Sequence, residues 1–149
     1  MSTRSVIAIE DPDKQCRGIY CHFDGYVSNN GRLLIEHYNT PELAEALLAL
    51  GNLSCLGERL APKPGEAHDY DSPVRDICIA YHRDRSEDYQ PPKFWHDANY
   101  LLSKASDSYW AEYVYLFREG LWYVDSTYQP LGWRPVAEVL KDEESKSDE

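Results

Sequence analysis

Phenylalanine is scarce in this 149-residue chain, with 3 copies against 12 tyrosines and 4 tryptophans. The apolar content, 42% overall, is enough for a folded core and is weighted toward rings with a polar tip. Such rings suit half-exposed sheet faces and binding surfaces. Long apolar runs are absent too. None approaches the roughly 18 residues of a membrane span, and the first ten residues are mixed rather than signal-like. A cytoplasmic protein, not bound to a membrane, is therefore expected. Positive charge is in deficit, with 15 Lys and Arg against 26 Asp and Glu and a net charge of −11. Phosphate contacts need clustered cations, so direct nucleic-acid binding is not expected.

Cysteine pairs are missing as well. Cys16, Cys21, Cys55 and Cys78 form no C-x-x-C unit, and in the cytoplasm they are reduced thiols. Zinc would need four convergent ligands. Cys21 and His22 are neighbours in an inferred strand and point oppositely, so neither a metal nor a cofactor is expected. The tripeptide His82-Arg83-Asp84 matches a kinase catalytic loop, but the Gly-rich loop, the downstream Asn and the D-F-G are absent.

At this length the size prior is one domain. Thr3–Glu10 and Cys16–Phe23 read as a strand pair around the turn residues Asp11-Pro12-Asp13-Lys14. On the second strand Ile19, Cys21 and Phe23 share the apolar face, which makes Cys21 a core thiol and leaves Tyr20 and His22 on the other side. A short helix is expected from Arg32 to Tyr38. Thr40-Pro41-Glu42 starts a helix that runs to Leu50 before Gly51. Ala61–Pro73 reads as a surface loop, Ile77–Tyr81 as a buried strand and His82–Pro92 as another loop. Phe94–Ala105 reads as a helix. Tyr109–Phe117 and Leu121–Asp125 form a hairpin around Arg118-Glu119-Gly120, and Pro135–Leu140 a closing helix. The expected class is α+β, a mainly antiparallel sheet of about five strands with helices packed on one side. Residues 1–140 form the domain and residues 141–149 an acidic, disordered tail. The tail holds five acids and two lysines, so the rest of the chain still carries about −8 and can dock on a basic partner.

Two clusters concentrate the polar chemistry. Tyr20, His22, Asp24 and Tyr26 surround the turn that ends the second strand, and His82, Arg83, Asp84 and Arg85 follow the buried strand. They are the ligand- or partner-binding candidates; no catalytic residue is assigned.

A wider pattern joins them. It consists of Thr3-Arg4-Ser5 with Ile7-Ala8-Ile9, Ile19-Tyr20-Cys21-His22-x-Asp24-Gly25-Tyr26, Asn30-Gly31-x-Leu33-Leu34-x-x-His37-Tyr38, Leu47 to Ser54, Ala80-Tyr81-His82-Arg83-Asp84-Arg85 and Glu119-Gly120-x-Trp122-Tyr123-Val124. This pattern, to about Val139, resembles a family of small proteins encoded by tailed bacteriophages and prophages. Phe23 stands where the family has Trp, and Val27 where it has Pro. The resemblance implies viral origin and a host-cytoplasm setting, and brings no activity with it. By analogy with small acidic phage proteins, the expected function is an accessory factor that binds and modulates a host protein through an acidic surface, with nucleic-acid-handling and defence proteins as the candidate classes. The alternative is a domain that binds or processes a nucleotide-like small molecule around the Tyr20–Tyr26 turn.

Overall fold

A computed structural model describes residues 3–61, 64–65, 77–85, 87–128 and 130–147; most of the Ala61–Pro73 loop lies outside them. Five α-helices and eight strands are present among the described residues: β1 Ser5–Glu10, β2 Cys16–Cys21, α1 Arg32–His37, α2 Pro41–Leu48, β3 Leu53–Cys55, β4 Ile79–Ala80, α3 Tyr81–Arg85, β5 Lys93–Trp95, α4 Ala98–Tyr109, β6 Tyr113–Arg118, β7 Leu121–Ser126, β8 Arg134–Pro135 and α5 Val136–Ser147. One π-helical turn, Val27–Gly31, precedes α1.

The strands lie in the order β4-β3-β2-β1-β6-β7-β8, with β5 added to the edge of β2. Most pairings are antiparallel, whereas β1–β6 and β2–β3 are parallel. The class is α+β as expected, and the sheet is mixed and larger than about five strands.

Period-2 alternation sorts the side chains of β1 onto two covered faces. Ile7 and Ile9 join Ile19, Cys21, Leu34, Leu47, Tyr115 and Val136 in one core. Val6 and Ala8 join Cys16, Leu101, Ala105, Val114 and Leu116 in the other. Helices α1, α2 and α5 cover the first face and α4 the second, which corrects the expectation of helices on one side. Ser5 through Ile9 are all buried, the mark of a strand packed on both faces. Cys16, opposite in parity to Cys21, is buried for the same reason. Among the described residues no helix is long and apolar enough to cross a membrane.

Local chemistry fixes the element ends. Thr40 caps α2 by accepting from Leu43 N at 3.2 Å, and Gly51 follows it at φ +77°, a conformation a side chain disfavours. The β6–β7 hairpin turns through Glu119 and Gly120 at φ 51° and 82°, the sign pattern that matches strand twist. Other boundaries differ from expectation. Phe94 lies in β5, because Asp97 caps α4 by accepting from Tyr100 N at 2.8 Å, and α4 continues to Tyr109. The His82–Arg85 stretch is helical rather than loop. Helix α5 runs to Ser147, into the stretch expected to be disordered. Arg134 ties its first turns by pairing with Glu138 at 2.7 Å and Asp142 at 2.6 Å.

Cys21 is fully buried, touching the Asn30 amide at 3.5 Å and the Phe23 carbonyl at 3.7 Å. Phe23, expected beside it, is 41% exposed. Cys21→Ala is expected to cost about 1–2 kcal/mol through lost packing, read by urea unfolding. Burial pushes the Cys21 thiol up to about 12, so it should resist thiol reagents in the folded protein; rapid labelling would contradict this placement.

Candidate functional site

The Tyr20–Tyr26 segment begins as strand and ends as a pinned turn. His22 N donates to Leu53 O and Phe23 N to Ser54 O, each at 3.0 Å. Asp24 takes φ 57°. Gly25 N donates to Thr3 O at 2.8 Å, and the buried Tyr115 hydroxyl donates to Gly25 O at 2.5 Å. A Cβ on Gly25 would sit 2.7 Å from Thr3 O, so only glycine lets the two backbones meet. Asn29 Nδ2 closes on Asp24 O at 3.1 Å. The turn is thus tied to the sheet at four points, while Asp24 and Tyr26 are exposed. Tyr20 and His22 form a pair, hydroxyl to Nδ1 at 2.6 Å. The His22 ring continues edge-on to Phe23, with centroids 4.5 Å apart. Burial raises the Tyr20 phenol to about 12, with nearby Arg4 opposing the shift, so this hydroxyl stays protonated at neutral pH.

The second cluster is spent on holding its own neighbourhood. Asp84 accepts from Ala80 N at 2.8 Å, and its side chain is 4% exposed. Arg83 binds that carboxylate at 2.9 Å and donates to Cys78 O at 2.7 Å and to Leu60 O. His82 Nδ1 meets Glu87 O at 2.8 Å. Arg85 ends α3, and its side chain lies outside the described residues. Arg83 and Asp84 thus bind each other and the neighbouring backbone.

What the fold does bring together is Tyr20 with Tyr81, the residue just before that cluster. The outer edge of β2 changes partner along its length. Cys16–Gly18 pair with β5, and Cys21 pairs with β3. Between the two, the Asn52 side chain accepts from Tyr20 N at 3.0 Å. The hand-over leaves a groove of about 630 Å³, lined by Tyr20, Asn52, Tyr81, Glu87, Asp88 and Gln90. Its rim is fixed at Gly51, where a Cβ would meet Gln90 O at 2.5 Å. Sequence reasoning missed Asn52, Tyr81, Glu87, Asp88 and Gln90, because no spacing records their convergence on Tyr20.

A second feature lies at the end of the sheet where β1 and β6 begin and β2 and β7 finish. Phe23, Tyr26, Trp110 and Tyr128, from three separate segments, are 41, 42, 70 and 67% exposed. Glu112 N donates to Arg4 O at 2.8 Å and Thr127 N to Glu112 O at 3.0 Å, which keeps these segments side by side. The Arg4 guanidinium lies 5.6 Å from the centre of the Trp110 ring. Trp110 takes φ 56° as the C-cap of α4. Of the rings on the β6–β7 hairpin, Tyr115, Phe117 and Trp122 are core, and Tyr113 packs half-buried against it.

Burial raises all four thiols, Cys16 to about 12, which suits structural rather than nucleophilic cysteines. Among the described residues no group of three or more His, Cys, Asp and Glu is placed to hold a metal ion. No family model, curated protein or solved structure matches the chain.

Proposed function

We propose that this protein is a phage accessory protein that binds and modulates a basic host protein, with the exposed aromatic end of the sheet as the contact. The observation that carries this reading is that Phe23, Tyr26, Trp110 and Tyr128 stand exposed at one end of the sheet, with Arg4 over the Trp110 ring. Scattered apolar side chains on a surface mean little, whereas clustered large ones mark interaction sites. Tyr, Trp and Arg are the residue types that dominate binding hot spots. The net charge of −11 complements a basic partner and speeds its encounter. The nucleotide-binding alternative draws less support, since Arg83 is committed to Asp84 and two carbonyls.

The test is capture from host lysate with wild type and a Trp110→Ala/Tyr128→Ala double variant at two salt concentrations. A specific partner should be retained by the wild type, weakened by salt, and lost about tenfold or more in the double variant. Both side chains are exposed, so the variant should melt within about 2 °C of the wild type. Equal capture by both proteins would reject this end of the sheet as the contact.

A further inference from the structure

We infer that Trp110 is the anchor of the exposed aromatic end of the sheet, a ring displayed at a cost to the fold so that it can enter an apolar slot on the partner. The inference rests on the binding reading above and narrows it to one side chain and the pocket that receives it. Five non-glycine residues among those described take positive φ: Lys14, Asp24, Trp110, Glu119 and Trp133. Such a conformation is costly for a bulky side chain and persists where the surroundings impose it, often at functional sites. Lys14 and Glu119 turn the β1–β2 and β6–β7 hairpins, and the loop through Trp133 is held by the Asp125 carboxylate. The remaining two, Asp24 and Trp110, both lie at the aromatic end. Aspartate tolerates the left-handed region, whereas tryptophan is a poor fit there.

At Trp110 the fold needs the backbone conformation and not the ring. Trp110 N donates to Ser106 O at 2.9 Å and Ala111 N to Ala105 O at 3.2 Å, a helix closure that favours glycine and delivers Ala111 into the second core. Glycine would make the same turn without strain. The indole is the most exposed large apolar side chain among the described residues, so its own burial offsets little of that cost. Arg4 lies against the ring and is itself fixed by the bond from Glu112 N to its carbonyl. A pre-positioned, exposed aromatic is the form that binding anchors take, because it loses little freedom on docking. It fits a partner slot with apolar walls and a hydrogen-bond acceptor for the indole N–H. A second copy of this chain is a poorer occupant, since each copy brings a net charge of −11 and like charges repel.

The test compares Trp110→Gly, Trp110→Phe and Tyr128→Ala with the wild type, by thermal unfolding and by titration against the host protein that the wild type captures, once purified. Trp110→Gly should melt no lower than the wild type and up to about 4 °C higher, yet bind about tenfold or more weakly. Trp110→Phe should keep an intermediate affinity, and Tyr128→Ala should lose about threefold or less. A Trp110→Gly protein that melts several degrees below the wild type would make the ring a structural plug, and unchanged binding by that variant would equally overturn the inference. Equal losses in Trp110→Gly and Tyr128→Ala would remove the anchor while leaving the binding reading in place. Failure of the wild type to capture any host protein would overturn both. A wild-type dimer that Trp110→Gly dissolves, seen by sedimentation, would give the ring to a second copy and overturn docking on a host protein.

Discussion

Asp125→Ala is expected to remove about 3–5 kcal/mol of stability and to lower the melting temperature by roughly 10 °C. The Asp125 side chain is a receptor for backbone donors. Its Oδ1 accepts from Ser126 N and Leu131 N, each at 2.8 Å, and from Gly132 N at 3.4 Å, while Oδ2 accepts from Trp133 N at 3.3 Å. Asp125 is 3% exposed, so the donors it leaves behind would not all find water. Unpaired buried donors cost about 1–3 kcal/mol each, and bonds to a carboxylate are the stronger kind. The loop it organises contains Gly132 at φ 74° and Trp133 at φ 55°, a path the chain would not hold unaided. Beyond that loop come β8 and α5, which supply Val136, Val139 and Leu140 to the core. Asp125→Asn keeps one acceptor and should lose less than the alanine variant. Urea unfolding of both variants measures this, and a loss below 1 kcal/mol for Asp125→Ala would show that the loop is held by other means.

Arg83→Met should cost about 2–4 kcal/mol while leaving partner binding per folded molecule unchanged. Methionine preserves much of the aliphatic stem and removes only the fork. Its removal takes the guanidinium from the Cys78 and Leu60 carbonyls and from the Asp84 carboxylate, which is 4% exposed. Breaking one side of a partly buried pair is more costly than the pair is worth, because the remaining charge stays desolvated. The Arg83 side chain is 28% exposed, so water recovers part of the loss and the expected cost sits below the range for a fully buried pair. Thermal unfolding with a parallel capture assay separates the two roles. A variant of normal stability that no longer binds would return Arg83 to the functional site.

Much of the fold was legible where the signal is local. The Thr40-Pro41 start and Gly51 stop of α2, the Glu119-Gly120 bend and the opposite parity of Cys21 and His22 each depend on residues within a few positions of one another. Burial on both faces of β1, from Ser5 to Ile9, was not read from the sequence, because its second cover is α4, about 90 positions away. The parallel β1–β6 pairing has no turn to announce it. Asp97 displaced the start of α4 past Phe94 because a cap outranks apolar spacing in setting a helix end. Of the candidate site, Tyr20 and its His22 partner were legible as a strand end rich in polar rings. The groove was not, since Asn52, Tyr81, Asp88 and Gln90 meet only through the change of partner along β2.

The parallel pairing of β1 with β6 also sets a schedule for synthesis. The Glu10–Arg118 ion pair that closes it joins residues 108 apart in sequence. At about 5–20 residues per second, the first strand waits roughly 5–20 s for its central neighbour to be made. During that interval the hairpin of β1 and β2 has an open edge and two apolar faces, the kind of surface that other chains can pair with. Folding therefore completes only when most of the chain has been synthesised, and relaxation in milliseconds to seconds is expected for such non-local topology. A chain cut short before Tyr113 would keep that edge open permanently and should accumulate as insoluble material rather than as a smaller folded domain.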